Sequence, residues 1–132
     1  MPKTAKKPTR SKLIKKLDVV FSKYIRLSNA DSRGMCTCVT CGKQSYWEKD
    51  QIDAGHFMSR RYMSVRYDER NVHPQCRYCN RMLAGNIYKY SLFLGSELAN
   101  DLYLKSKETV KFSSQELEEM IDEYTTKLKT FL

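Results

Sequence analysis

Apolar residues recur along this chain with more than one period, and the changes of period divide it. From Ser11 to Ser28, Leu13, Leu17, Val20, Phe21 and Tyr24 fall three and four apart, the spacing that places side chains on one face of a helix. Lys12, Lys15, Lys16 and Lys23 fall largely elsewhere on the wheel, which predicts an amphipathic helix with a basic outer side. Asn29-Ala-Asp-Ser-Arg-Gly34 carries turn chemistry and ends it. The helical period returns late in the chain, in two pieces over 88–94 and 97–105 parted by Gly95-Ser96. Ser113 to Glu116 has the form of a capping box, opening a last helix whose Leu117, Met120, Ile121, Tyr124 and Leu128 form a core or subunit-interface stripe. Between these helical ends the period is lost. Tyr46-Trp47 begins a short strand or loop with Trp47 in the core, and 51–57 reads as a strand. The run from Arg60 to Tyr67 reads as a loop and second strand. Cys79-Asn80 is expected to open a helix that continues through Leu83 to a break at Gly85-Asn86.

Length and charge narrow the picture. A chain of 132 residues suits one domain with a modest core, small enough to gain from a metal staple. No apolar run approaches the roughly 18 residues a membrane helix requires, and no repeat is visible. The net charge of +9 is uneven: residues 1–33 hold ten Lys/Arg against two acids, whereas 96–132 hold five against eight. A basic front half favours a polyanionic partner, because neutralised phosphates release counterions, although many small basic proteins bind no nucleic acid. Residues 1–10, MPKTAKKPTR, read as a disordered basic arm, able to lie along a phosphate backbone or to serve as a solubilising tail.

Five cysteines without an apolar signal segment argue for a reducing, cytoplasmic setting and for thiolates that bind metal. Cys38/Cys41 and Cys76/Cys79 form two Cys-x-x-Cys pairs, each able to give two sulfurs to a tetrahedral Zn²⁺ from one tight turn. Gly42 permits the first of those turns. Cys36 is read as a spare thiol in a strand, with a ligand swap for Cys38 as the alternative. Between the pairs lies Asp53-Ala-Gly-His56, and Asn71 and Asn80 flank the second pair. A purely structural zinc loop has no need of these residues. An imidazole titrating near neutrality suits a general base, and His56 takes that role unless it is a further zinc ligand. Asn80 offers an uncharged oxygen to a hard cation, or caps a helix.

The segments CVTCG, DAGHF, RYDERNVHPQC, YCN and GN, in that order over residues 35–130, resemble the NinG (Rap) family of lambdoid phage recombination proteins. More distantly, the layout is similar to HNH or His-Me finger (ββα-metal) nucleases, including Holliday-junction resolvases of the endonuclease VII type. The resemblance implies an α+β fold: a zinc-stapled ββα-metal core over 35–86, within one domain spanning 11–132, flanked by helices at 11–33 and 87–132. It implies His56 as the base, Asn71 as the residue that holds the connecting loop or orients the imidazole, and Asn80 as a ligand of a catalytic Mg²⁺ or Mn²⁺. Many relatives of that wider class carry Asp directly before the histidine, where this chain has Gly55. Asp53 is expected to supply the carboxylate instead, provided the strand stays regular through Ala54-Gly55. His73 is a further candidate at the site, or a surface histidine before Pro74. Arg60, Arg61 and Arg66, interleaved with Tyr62 and Tyr67, suit phosphate contact and base stacking, or are ordinary exposed arginines. Arg77 and Arg81 flank Asn80 as phosphate clamps.

The implied function is a metal-dependent endonuclease acting on branched DNA, such as Holliday junctions or D-loops, in a phage-infected bacterium. The branched substrate follows only from the family likeness. Paired cuts would suit a homodimer, through either terminal helix. The alternatives are a zinc-stapled DNA-binding module without cleavage and a small interaction protein whose zinc only folds it. Neither reading needs a membrane.

Overall fold

The computed structural model describes residues 7–132, so the first six residues of the expected basic arm lie outside the described part. Its end is corrected: Thr9 caps the first helix, accepting from the Lys12 amide at 3.2 Å, and α1 spans Arg10–Ser28. Arg10 therefore belongs to the helix, and its Nε donates to the Phe112 carbonyl at 2.7 Å. After α1 come a hairpin of β1 (Met35–Thr37) and β2 (Gln44–Tyr46), then β3 (Ile52–His56) and the short helix α2 (Met63–Arg66). A single 3₁₀ turn at Glu69–Asn71 leads into β4 (Val72–Cys76). A wide helical turn at Tyr78–Met82 precedes α3 (Ile87–Leu94), α4 (Ser96–Ser106) and α5 (Ser114–Lys129). The result is a small α+β fold with two antiparallel two-stranded sheets among the described residues, β1–β2 and β3–β4.

The two long amphipathic helices are each other's main partner. Leu13, Leu17, Phe21 and Ile25 of α1 are buried with Leu117, Ile121 and Tyr124 of α5, together with Tyr67 and Val72. Phe21 meets Tyr124 edge-on at 4.9 Å between ring centroids, and Tyr24 reaches Phe131 at 6.1 Å. The Ser113–Glu116 capping box forms as the sequence predicts. The α5 stripe thus packs in the core of this chain, with Met120 partly buried at its margin. Burial of a large apolar side chain contributes about 1.5–3 kcal/mol, so this pair supplies much of the folding drive. A second cluster gathers Phe57, Val65, Tyr90 and Leu102 from β3's end, α2, α3 and α4. Trp47 is buried with Cys36 and Ile52, as expected of a core residue.

Two expected elements are replaced. The run from Arg60 to Tyr67 is not the second strand. It is a loop closing on α2, and the strand that pairs with β3 is Val72–Cys76, with Ile52 opposite Cys76 and His56 opposite Val72. Asn71 is the physical reason. Its fully buried amide donates to the Met58 and Val65 carbonyls at 2.9 and 3.1 Å and accepts from the Met58 amide at 2.8 Å, pulling the segment into a closed loop. The expected helix at Cys79-Asn80 is likewise only the wide turn Tyr78–Met82. Ala84 and Asn86 (both φ 48°) and Gly85 (φ 90°) then take left-handed conformations, which stop propagation before α3 begins. No described helix is long and apolar enough to cross a membrane.

Candidate active site and metal centre

The chemistry-bearing side chains fall into two separate groups, a set of four cysteines and a cleft along β3 that none of them lines. The first is the sulfur cluster. The β1–β2 hairpin turns between Cys38 and Cys41, where the Gly42 amide donates to the Cys38 carbonyl at 2.9 Å with Gly42 at φ 82°. Cys76 ends β4 and Cys79 lies in the wide turn. The four Sγ atoms lie within 4.8 Å of one another, and Cys41 and Cys76 are 3.6 Å apart. A tetrahedron with metal–sulfur bonds near 2.3 Å has edges of about 3.8 Å, so this set could hold a metal such as zinc. Burial opposes ionisation of Cys38, yet the Thr40 hydroxyl and nearby backbone N–H groups outweigh it and bring the thiol down to about 6. Cys38 thus leans to the thiolate a metal needs, whereas burial pushes the Cys41 and Cys76 thiols up. Cys36 is outside the cluster: its Sγ donates to the Arg26 carbonyl at 3.0 Å and burial pushes the thiol up to about 11. The ligand swap with Cys38 is thereby excluded, and His56 is not part of this group either.

The second group lines an open cleft of about 660 Å³ along β3. β3 pairs only with β4 among the described residues, so its other edge is free. One wall is α1, through Asp18, Ser22 and Arg26; the other is the wide turn, through Arg77, Asn80 and Arg81. The register runs unbroken from Ile52 to His56, so Gly55 marks no bulge. Its reason is packing instead. A Cβ at Gly55 would lie 2.1 Å from Oε1 of Gln75, a fully buried residue whose amide donates to the Gly85 carbonyl at 2.6 Å and to Thr40.

Asp53, expected to replace the carboxylate absent at position 55, meets Asn80 directly: the Asn80 amide donates to its Oδ2 at 3.0 Å. Asn80 is therefore not a helix cap. Arg81 also grips Asp53, through Nε and Nη2, both at 3.1 Å. His56 ends β3 in the same cleft, with Nε2 2.9 Å from the Arg66 carbonyl. A carbonyl only accepts, so Nε2 carries the proton and Nδ1 keeps the lone pair. Burial, reinforced by Arg60 and Arg66, outweighs that hydrogen bond and pulls the imidazole down to about 4. It is neutral near neutral pH.

Other predicted residues are placed differently. Asn71 lies beneath the cleft and holds the 58–65 loop, with no hydrogen bond to the imidazole. His73 faces away from His56, being adjacent in register to Val72, and its Nδ1 is 3.1 Å from the Tyr90 hydroxyl, with Phe93 stacked edge-on. It packs against Tyr90 and Phe93 and does not line the cleft with His56. Arg66 is paired within the fold: its guanidinium donates to Asp18 from Nε at 3.0 Å and from Nη2, and it is 16% exposed. Arg60 is 62% exposed at the cleft, and Arg61 lies against the Tyr62 ring outside it. Arg77 lines the cleft with a buried Nε–H that has no partner among the described residues. Sequence reasoning missed Asp18, Ser22 and Arg26, because nothing local distinguishes the α1 residues that face a strand some 30 positions later.

Comparison with known proteins then places the chain. A family model described as Bacteriophage Lambda NinG protein matches residues 1–131. The chain belongs to the NinG family. It is 31% identical over 131 residues to "Protein ninG" of Salmonella phage P22, across 96% of this chain and 61% of that protein. The ninG protein of Escherichia phage lambda gives 31% identity over 131 residues, covering 96% of this chain and 60% of the relative. That of Escherichia phage 933W gives 33% over 100 residues, covering 75% and 46%. This NinG-family chain thus spans less than two thirds of these relatives' length. No solved structure matches it.

Proposed function

We propose that this NinG-family chain is a metal-dependent DNA endonuclease that hydrolyses phosphodiester bonds in branched recombination intermediates, such as Holliday junctions or D-loops, in the bacterial host's cytoplasm. The observation that carries the reading is the trio on one cleft: a neutral, tautomer-fixed His56 beside Asp53 and Asn80 in mutual contact. The antiparallel β3–β4 pair followed by the wide turn and α3 supports a ββα-metal assignment of the HNH type, akin to the endonuclease VII resolvases.

His56, with its lone pair on Nδ1, takes a proton from the attacking water; Arg66's carbonyl holds the ring by its other nitrogen. Asp53 has carboxylate oxygens and Asn80 an amide oxygen, the donors a hard cation prefers; they would hold Mg²⁺ or Mn²⁺ with the Asn80 amide, whose N–H₂ faces Asp53 in this structure, turned to bring its oxygen to the same point. Such an ion supplies charge stabilisation at phosphorus and at the departing oxygen. Arg60, Arg77 and Arg81 stand on the cleft as phosphate partners, and the unpartnered Arg77 Nε–H is a donor in need of an acceptor. Arg61, outside the cleft, would contact DNA only beyond it. A homodimer would present two such clefts to opposed strands.

A second reading, DNA binding without cleavage, draws on one observation: Arg81 neutralises Asp53 where a dication would be required to do so. One experiment separates the two. Purified protein is incubated with a labelled four-way junction and a linear duplex, with and without Mg²⁺ or Mn²⁺. Cutting of the junction by the parent, with His56→Ala reduced about 10²–10⁴-fold at unchanged affinity, supports the nuclease. Asp53→Asn should recover partly at raised Mn²⁺, and His56→Ala should not. Tight binding with no cutting under any cation favours the second reading and overturns the first.

A further inference from the structure

The wide turn that carries Asn80 and Arg81 into the cleft also carries apolar side chains into solvent. Tyr78 is 60% exposed and Met82 74%, and the start of α3 adds Ile87 at 45% and Tyr88 at 74%. Surface apolar residues are ordinary when scattered, but four within eleven positions, two of them aromatic, form an unpartnered rim. Tyr90, two residues on from Tyr88, shows what the core takes from this segment: it is fully buried, its hydroxyl donating to the Gly55 carbonyl at 2.7 Å. Tyr78 and Tyr88 are thus left out of the core by a backbone that is itself firmly anchored.

Charge decides what covers such a rim. Residues 70–96 contain no Asp or Glu, and their only charged side chains are Arg70, Arg77, Arg81 and Lys89. Arg81 is already answered by Asp53, but Lys89 has no carboxylate within 70–96 to pair with, so a second copy packing on the same face would set Lys89 against its own equivalent, which disfavours a symmetric dimer there. A polyanion with exposed apolar faces meets both requirements. Unpaired nucleobases stack on aromatic rings while their phosphates meet arginine and lysine, and a paired duplex keeps those faces hidden. Tyr78 and Met82 belong to the same wide turn as Asn80 and Arg81, which line the cleft, so this part of the surface adjoins the cleft wall.

We infer that Tyr78, Met82, Ile87 and Tyr88, flanked by Arg81 and Lys89, form a stacking surface for unpaired bases next to the cleft. The inference rests on the nuclease reading only in taking DNA as the ligand. It gives a physical source for a preference for branched over linear DNA: the surface engages bases already released from pairing.

The test measures binding with Ca²⁺ in place of Mg²⁺ or Mn²⁺, so that it does not depend on cleavage. The probes are a duplex with a three-nucleotide single-stranded gap carrying 2-aminopurine and the same duplex fully paired. The parent should bind the gapped probe more tightly and quench 2-aminopurine. Tyr78→Ala and Tyr88→Ala should each weaken gapped binding about fivefold or more, with less than about a twofold change on the paired duplex. Tyr78→Phe should retain binding, since stacking needs the ring and not the hydroxyl. Melting temperatures should match the parent, because these side chains are exposed. Equal losses on both probes, or no loss on either, overturn the surface. So does a parental dimer that Tyr78→Ala and Tyr88→Ala dissociate in sedimentation. If the parent binds the gapped probe as stated yet never cuts with Mg²⁺ or Mn²⁺, the nuclease reading fails and the stacking surface stands.

Discussion

At the scale of single residues, Gly55 and His56 illustrate opposite constraints. Gly55 is imposed by packing: Gln75 occupies the space of its missing side chain. Gly55→Ala should destabilise the fold by about 1–3 kcal/mol in urea unfolding, and Gly55→Asp by more. Because the Gln75 Cβ alone would lie 2.7 Å from the added methyl, the cost of Gly55→Ala should shrink in a Gln75→Gly background; equal cost in both backgrounds would mean that Gln75 is not the obstacle. His56 is constrained by burial. Because its folded value, about 4, lies below the ordinary 6.5, the unfolded chain binds the proton first. Its contribution is complete above pH 6.5 and is lost as pH falls from there toward 4, at no more than about 1.4 kcal/mol per pH unit. Urea midpoints from pH 7 to pH 4 should therefore fall less steeply for His56→Gln than for the parent. Parallel curves would show that the imidazole is not buried in its neutral form.

At the scale of elements, the site depends on a helix that contributes none of the recognised motifs. Asp18 of α1 accepts from Arg66 Nε at 3.0 Å and from the Tyr67 hydroxyl at 2.8 Å, and so anchors the end of α2 whose carbonyl holds His56. Charge-assisted hydrogen bonds of this kind contribute about 1.5–3 kcal/mol each in favourable cases, so Asp18→Asn should lower stability by roughly 1–3 kcal/mol. If the chain cuts DNA as proposed, Asp18→Asn should also reduce cleavage while leaving any metal held by the cysteines in place. Full activity at reduced stability would separate α1 from the positioning of His56. The 3₁₀ turn before β4 has a similar clamp. Asp68 caps it and accepts from Lys105 at 2.8 Å, and although burial pushes the carboxyl up, Arg70 and Lys105 hold it well below its usual range. That contribution is present above the ordinary carboxylate value and is lost as pH falls below it. The helical expectation for Ser11–Ser28 needed only its own period. The strand expected between Arg60 and Tyr67 failed because one side chain, Asn71, overrode the local pattern from outside that segment.

Across the whole molecule, the cysteine cluster joins the β1–β2 hairpin to the end of β4 and the wide turn, two parts of the chain 35 residues apart at Cys41 and Cys76. Structural zinc contributes on the order of 10–16 kcal/mol of apparent binding free energy in small domains, more than a core of this size can spare. Strong chelation should unfold the chain or sharply lower its melting temperature, and Cys41→Ser should do the same, whereas Cys36→Ser should keep one zinc per chain. An unchanged melting transition after metal removal would limit the cluster to a surface role. What the sequence alone determined is what short-range spacing encodes: the helical stripes of α1 and α5, the capping box and the paired Cys-x-x-Cys knuckles; His56 and Asn80 were candidates by resemblance, and Asp53 by strand spacing across Gly55. Tertiary structure alone decided which of these meet. It put Asp53 against Asn80, turned His73 to Tyr90, committed Arg66 to Asp18, and chose β4 as the partner of β3. Those outcomes depend on contacts between residues about 20 to 50 positions apart, where burial, sheet register and ion pairing act and local periodicity carries no information.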